Sequence, residues 1–275
     1  MTPWAEVIGD PVAHSKSPLI HAHWLAQLGL EGDYRATRVP AEDLADFLRA
    51  RQGEPGWRGC NVTIPHKEAI LPLLARRSPQ ARAIGAVNCV VPGLHGLTGH
   101  NTDVFGVAAA LDGTPLGGGR AVMIGAGGGA RAALSYLVGR RVGTLTIVVR
   151  DPKRAEALAG AHAGTRVEIA SMDDCGAAFE GAAAIVNASP LGMAGSPPMP
   201  PSLLDSVAAH AAGATLFDMV YTPLKTAFLE VGEAHGGRAV DGLTMLIGQA
   251  RPAFRLLFGH EPPSGDAALR GILTT

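Results

Sequence analysis

Short apolar runs alternate with amphipathic stretches along almost the whole chain, the pattern of strands alternating with helices. Ala5-Glu6-Val7-Ile8-Gly9 reads as a strand, closed by Gly9 and Asp10-Pro11. Leu19, Ile20, Trp24, Leu25 and Leu28 then fall at helical spacing. They stand behind Ser17-Pro18, a hydroxyl N-cap followed by proline at the first helical position, and Gly29 ends the helix. Asp33 to Val39 alternates as a strand and Ala41 to Arg51 reads as a helix. The segment Asn61-Val62-Thr63-Ile64-Pro65-His66-Lys67 starts as a β run and breaks at Pro65, which cannot continue a central strand. A helix from about His66 to Arg76 is expected after it, with Lys67 close to the strand's end.

A second series begins at Ala121-Val122-Met123-Ile124 and passes through a glycine-rich turn into a helix carrying Arg131, Leu134 and Leu137. Strands are predicted at Leu145–Val149, Ala184–Asn187 and Thr215–Asp218, with helices at Arg154–Ala159 and Leu243–Phe258. Such alternation implies βαβ units, mostly parallel sheets and an α/β class. The expected organisation is an N-terminal α/β substrate domain (1–103) and a Rossmann-like dinucleotide-binding domain (104–240). C-terminal helices (241–275) would return to the substrate domain.

Composition narrows this without redirecting it. The 275 residues suffice for two domains of roughly 100–200 residues each. With 47% apolar and 17% charged residues the chain can build a sizeable core, and its net charge of −1 lacks the basic footprint of a nucleic-acid binder. Cys60, Cys89 and Cys175 are far apart without CxxC spacing, so neither a zinc site nor a disulfide framework is expected, and a reducing cytoplasm fits. The first residues carry Glu6 and Asp10 and no basic run, unlike a signal peptide. No uncharged apolar run reaches the roughly 18 residues that span a bilayer. His21 and His23 lie two apart on a helix and do not face each other, so no metal site is expected.

The candidate chemistry lies at the ends of strands, where ligand sites form in open α/β sheets. Asn61 and Thr63, at i and i+2 of one strand, would project to the same face. Gly125-Ala126-Gly127-Gly128-Gly129-Ala130 follows a predicted strand and opens a predicted helix, the context of the dinucleotide fingerprint. Its glycines let backbone amides approach a pyrophosphate, and the helix N-terminus favours the anion. The next strand runs into Val149-Arg150-Asp151-Pro152-Lys153-Arg154. Arg150, Lys153 and Arg154 suit the 2′-phosphate of NADP, while Asp151 could serve as a plain N-cap; NAD stays open as the alternative. Further polar segments are Gly85-Ala86-Val87-Asn88, Asn101-Thr102-Asp103, Asp218-Met219-Val220-Tyr221 and Gln249 in the last long helix. Each alone reads as caps and turns.

In this order, and along nearly the whole chain, the motifs resemble the shikimate dehydrogenase family. They are SKSP (Ser15 to Pro18), NVTIPHK, GAVN, GHNTD, GAGGGA, NASPLGM (Asn187 to Met193), DMVYTP and GLTMLIGQA (Gly242 to Ala250). The resemblance implies a soluble oxidoreductase of aromatic biosynthesis, monomer or homodimer, that reversibly reduces 3-dehydroshikimate to shikimate with NADP. It implies Lys67 and Asp103 as the catalytic pair. Ser15 and Ser17 would hold the substrate carboxylate, with Thr63, Asn88, Tyr221 and Gln249 on its hydroxyls or carboxylate. Asn187, Met193 and Gly242 would border the cofactor. Three departures stand out: Val149 stands where asparagine is usual, Val104-Phe105 follows Asp103 where glycine is frequent, and Pro190 replaces a common serine. The Asp103-Val104 pair and Pro190 resemble the quinate/shikimate branch, which accepts quinate and often uses NAD. An aminoshikimate dehydrogenase or a nucleotide-sensing relative without turnover is a further alternative on the same fold.

Overall fold

A computed structural model describes the chain except Ala161, Ala163 and the side chain of Arg154. It divides into two compact units, Met1–Gly106 with Leu246–Thr275, and Val107–Met245.

The first unit runs β1 (Trp4–Gly9), α1 (Ser17–Gln27), β2 (Asp33–Arg38), α2 (Leu44–Gln52), β3 (Trp57–Val62), α3 (His66–Ala69), β4 (Arg76–Arg77), α4 (Pro79–Ile84), β5 (Cys89–Gly93) and β6 (Gly96–His100). Helix α5 (Asp103–Ala110) leads out of it. The sheet order is β2-β1-β3-β5-β6-β4. It is mixed: β1 pairs parallel with β2 and β3, and β4 with β6, but β5 is antiparallel to both β3 and β6. The cause is a hairpin, in which Gly93 pairs with Gly96 across Leu94-His95 and Gly96 takes φ 111°, a conformation open to glycine. A two-residue connection can only join antiparallel neighbours.

β1 shows how the sheet is covered. Its even positions Trp4 and Ile8 enter one cluster with Val39, Leu44 and Leu48, and its odd positions Ala5 and Val7 enter another with Tyr34, Ala253 and Leu257. Both faces are buried, so the strand cannot alternate apolar with polar. The one charge, Glu6, is fully buried and held by Thr37, Arg51 and Trp57.

Local signals misplace two details. Ser17 is the first residue of α1, not its N-cap; Lys16 stands at the cap without a side-chain bond, and the Ser17 N–H reaches Ser15 Oγ at 3.3 Å. The helix expected over His66 to Arg76 stops at Ala69, because Pro72 lacks an N–H and the chain tightens into a 3-10 turn at Leu71–Leu73.

The second unit continues β7 (Arg120–Ile124), α6 (Gly128–Gly139), β8 (Thr144–Val149), α7 (Pro152–Glu156), β9 (Arg166–Ser171), β10 (Ala182–Asn187), α8 (Pro201–His210), β11 (Thr215–Asp218), α9 (Ala227–Ala234) and β12 (Arg238–Val240). Helix α10 (Gly242–Phe258) leads back to the first unit, which α11 (Ala267–Thr274) completes. All six strands pair parallel in the order β12-β11-β10-β7-β8-β9. Ala121 and Met123 of β7 face one apolar cluster, Val122 and Ile124 the other. This is a doubly wound sheet, and its order reverses between β7 and β10, where such folds bind ligands beyond the carboxyl ends of the strands.

Candidate active site

In the first unit, four stretches distant in sequence converge on Asn88. The turn between α4 and β5 presents it: its N–H reaches His100 O at 3.0 Å, its C=O accepts from Val62 N at 2.8 Å, and Val87 N bonds Lys67 O at 2.8 Å. The Asn88 Nδ2 donates to Asp103 Oδ1 at 2.8 Å and Thr102 Oγ1 at 2.9 Å, with Gln249 Oε1 at 3.3 Å. Its Oδ1 accepts from Thr102 N at 2.6 Å, so both ends of the amide are engaged within the protein. Asn101 ties the same corner together, donating to Ala86 O at 3.0 Å and accepting from Asp103 N at 3.1 Å.

This corner aims the Asp103 carboxylate, whose other oxygen takes a charge-assisted bond from Lys67 Nζ at 2.5 Å. Lys67 retains 17% side-chain exposure and Asp103 only 5%, so the carboxylate is nearly sealed while the lysine side chain is not. Its helix is anchored by buried His66, whose Nε2–H donates to Val39 O at 2.7 Å; a carbonyl can only accept, which fixes the proton on that nitrogen. The structure thus brings Lys67, Asn88, Asp103 and Gln249 into one bonded cluster. Asn61 is buried elsewhere in it, accepting from Tyr34 OH at 2.7 Å and donating to Asn88 O at 3.1 Å, a scaffold role. Thr63 follows β3 half-buried against Gly9, where an added Cβ would stand 2.5 Å from Thr63 Cγ2 and 2.8 Å from Ile64 O. Ser15 and Ser17 lie at the start of α1, where Ser15 is half-buried and Ser17 buried.

In the second unit, the remaining expected residues gather at the carboxyl ends of β7, β8, β10 and β11. Gly125 leaves β7 with φ 108°, and a Cβ there would meet Ala188 and Ser189 at 3.0 Å, so both conformation and space demand glycine. Gly127 caps α6 without a side-chain bond and with open space around it, no acidic residue enters the first turn, and Ala130 is buried behind. Uncapped N–H groups and a bare glycine surface fit a pyrophosphate. Ala126, Gly128 and Gly129 are partly exposed along the same turn, with Gly129 against Met219 Sδ. At the end of β8, Asp151 is the N-cap of α7, accepting from Lys153 N at 3.1 Å. That occupies the acid a ribose hydroxyl would need. Arg150 is exposed and has no ion-pair partner among the described residues, an arrangement open to phosphate. The Arg154 side chain lies outside the described residues.

Asn187 ends β10 fully buried, and Met193 and Tyr221 are half-buried in the loops after β10 and β11. Gly242 is a backbone-packing glycine: a Cβ would stand 2.5 Å from Val220 O and 2.7 Å from Met219 O. Sequence reasoning missed Asp218 and Asn101 as site-building residues. The signal available was a carboxylate closing an otherwise apolar strand, and an asparagine two residues before Asp103.

A doubly wound parallel sheet with a bare glycine turn, in one chain with a unit carrying a lysine–carboxylate pair, defines a dinucleotide-dependent oxidoreductase. Comparison with known proteins makes this specific. The family described as "Shikimate dehydrogenase substrate binding domain" matches residues 7–90, and "Shikimate / quinate 5-dehydrogenase" matches residues 109–191. The "Shikimate dehydrogenase (NADP(+))" of Sphingopyxis alaskensis is 46% identical over 274 residues, 99% of this chain and 97% of that protein. The crystal structure of shikimate 5-dehydrogenase from Listeria monocytogenes, in complex with shikimate and NAD, matches with a TM-score of 0.87 at 29% identity, covering 99% and 96% of the two chains. The Thermus thermophilus enzyme, in complex with NADP(H) and shikimate, matches with a TM-score of 0.81 at 37% identity, covering 95% of each. This chain belongs to the shikimate dehydrogenase family. Among the described residues no helix is long and apolar enough to cross a membrane, and no cluster of side chains could hold a metal ion.

Proposed function

We propose that this chain reversibly reduces 3-dehydroshikimate to shikimate with NADPH in the cytoplasm, the first unit holding the substrate and the second the nucleotide. The observation that carries the reading is the Lys67–Asp103 pair, fixed by Asn88, with the lysine side chain still partly exposed. The nucleotide supplies the hydride that adds to the carbonyl carbon. Lys67 delivers a proton from Nζ to the carbonyl oxygen as negative charge develops there, so no free alkoxide forms; in the reverse direction it receives that proton from the alcohol. Asp103 holds the ammonium in place and balances its charge. Ser15 and Ser17 hydroxyls donate to the substrate carboxylate, and Thr63, Tyr221 and Gln249 read its hydroxyls or carboxylate, while Asn88, its amide engaged within the protein, aims Asp103. Arg150 and Arg154 take the 2′-phosphate, with Gly125 to Ala130 on the pyrophosphate and Asn187, Met193 and Gly242 along the nicotinamide side. Three buried free cysteines fit a reducing compartment.

The test follows nicotinamide absorbance with shikimate and quinate, each crossed with NADP and NAD. The fastest turnover is expected for shikimate with NADP. No turnover in any combination would overturn the proposal, and quinate with NAD as the preferred pair would move the chain to the quinate branch.

A further inference from the structure

We propose that Asp218 is a positioning residue for nucleotide binding: its carboxylate joins the loop after β10 to the loop after β11 and holds both against the glycine-rich turn. Asp218 is the last residue of β11 and is fully buried. Its Oδ1 accepts from Asn187 Nδ2 at 2.9 Å, on the neighbouring strand, and from Val220 N at 2.9 Å in its own loop. Its Oδ2 accepts from Thr226 Oγ1 at 2.6 Å, the N-cap of α9. Asn187 passes the constraint on, because its Oδ1 accepts from Ser189 N at 3.1 Å and Ser189 Oγ at 2.7 Å, and its Nδ2 also reaches Leu191 O at 3.1 Å. Ala194 N to Thr222 O, at 2.8 Å, is a second tie between the same loops.

The loops so fixed touch the nucleotide turn directly. Ala188 and Ser189 stand 3.0 Å from where a Cβ on Gly125 would be, and Met219 Sδ stands 3.0 Å from where a Cβ on Gly129 would be. A shift of either loop therefore moves the surface on which the nucleotide would lie. No lysine or arginine pairs with Asp218 among the described residues; its donors are all neutral. Burial pushes its carboxyl up to about 6, so the ionised form is disfavoured by the fold.

The inference rests on the proposed function only in taking NADP as the nucleotide, and its test uses binding as well as turnover. Full-length Asp218→Asn, Asp218→Ala and Ser189→Ala are compared with the unaltered protein by calorimetric titration with NADP, thermal unfolding at pH 8 and steady-state rates. Asp218→Asn keeps the shape but turns one acceptor into a donor. It is expected to raise the NADP dissociation constant and KM about tenfold while kcat at saturating NADP stays within about threefold, since only binding geometry is lost. Its melting midpoint is expected to stay within about 3 °C, because removing the buried charge offsets the lost bond. Ser189→Ala should weaken NADP about threefold, in the same direction. Unchanged NADP affinity in Asp218→Asn would overturn the proposal, as would an affinity loss accompanied by collapse of the melting midpoint in both Asp218→Asn and Ser189→Ala. Protein that binds NADP but oxidises neither shikimate nor quinate would overturn the proposed function, and the binding comparison would still decide the role of Asp218.

Discussion

Asp103 and Asp218 are buried carboxylates, one in each unit, and each accepts from an asparagine amide, Asn88 at 2.8 Å and Asn187 at 2.9 Å. What differs is the remaining partner. Asp103 faces the ammonium of the partly exposed Lys67, whereas Asp218 faces a backbone N–H and the Thr226 hydroxyl. An ammonium held by a carboxylate can release and regain a proton at a reacting oxygen. A carboxylate ringed by neutral donors can only fix what surrounds it. On the proposed roles, the same side chain would serve proton transfer in one unit and geometry in the other, with the partner deciding which.

Breaking the first arrangement gives the largest expected effect. Lys67→Ala should lower kcat by about a hundredfold to ten-thousandfold, the usual contribution of a positioned acid, with NADP affinity unchanged by titration. A loss smaller than about tenfold, or roughly 1.4 kcal/mol of barrier, would remove Lys67 from that role. Arg150→Ala tests the nucleotide side: losing a charge-assisted contact should raise the KM for NADP about tenfold while NAD is unaffected. Asn88→Ala would leave Asp103 Oδ1 and Gln249 Oε1 without this donor, at a cost of about 1–3 kcal/mol in urea unfolding, with a smaller kcat loss than Lys67→Ala.

The smallest effect separates the units by pH. Burial holds His21, stacked on Tyr34 at 4.0 Å, down to about 3 from 6.5. The unfolded chain therefore binds that proton first, and the first unit loses stability as pH falls from 6.5 toward 3, on the order of 2 kcal/mol by pH 5. Asp218 has the opposite sign. With its carboxyl at about 6 against 3.8 unfolded, the folded state binds the proton first, and the second unit gains on the order of 1 kcal/mol by pH 5. Amide exchange at pH 8 and pH 5 should show protection falling in β1 and α1 relative to β10 and β11. His21→Phe should abolish the first trend and Asp218→Asn the second.

Much of this was legible in the residues. The strand–turn–helix conformation around Gly125 to Ala130 was legible because glycine tolerates the φ of 108° that Gly125 adopts between β7 and α6. The α/β class followed from alternation of apolar runs. Other features were hidden for definite reasons. The β5–β6 hairpin has a turn of ordinary residues, Leu94-His95, between glycines, and its short strands also include Pro92 and Gly99, which hides their strand pattern. Pro72 stood inside a pattern of leucines that otherwise reads as helix. Asp151 was open to reading as an N-cap, and the bond from Lys153 N makes it one.

By itself the sequence determined local conformation and the chemical inventory: which strands and helices form, where glycine must be, and which lysine and carboxylates are present. Periodicity and backbone restriction act over a few residues, so a linear reading can reach them. Tertiary structure alone decided which groups are bonded to which. Lys67 and Asp103 are 36 positions apart, and Asn88 and Gln249 are 161 apart. Asn187 and Asp218 meet because their strands are parallel neighbours in register. Hydrogen bonds form between atoms about 3 Å apart whatever their separation along the chain, so the difference between Asp103 and Asp218 exists only in three dimensions.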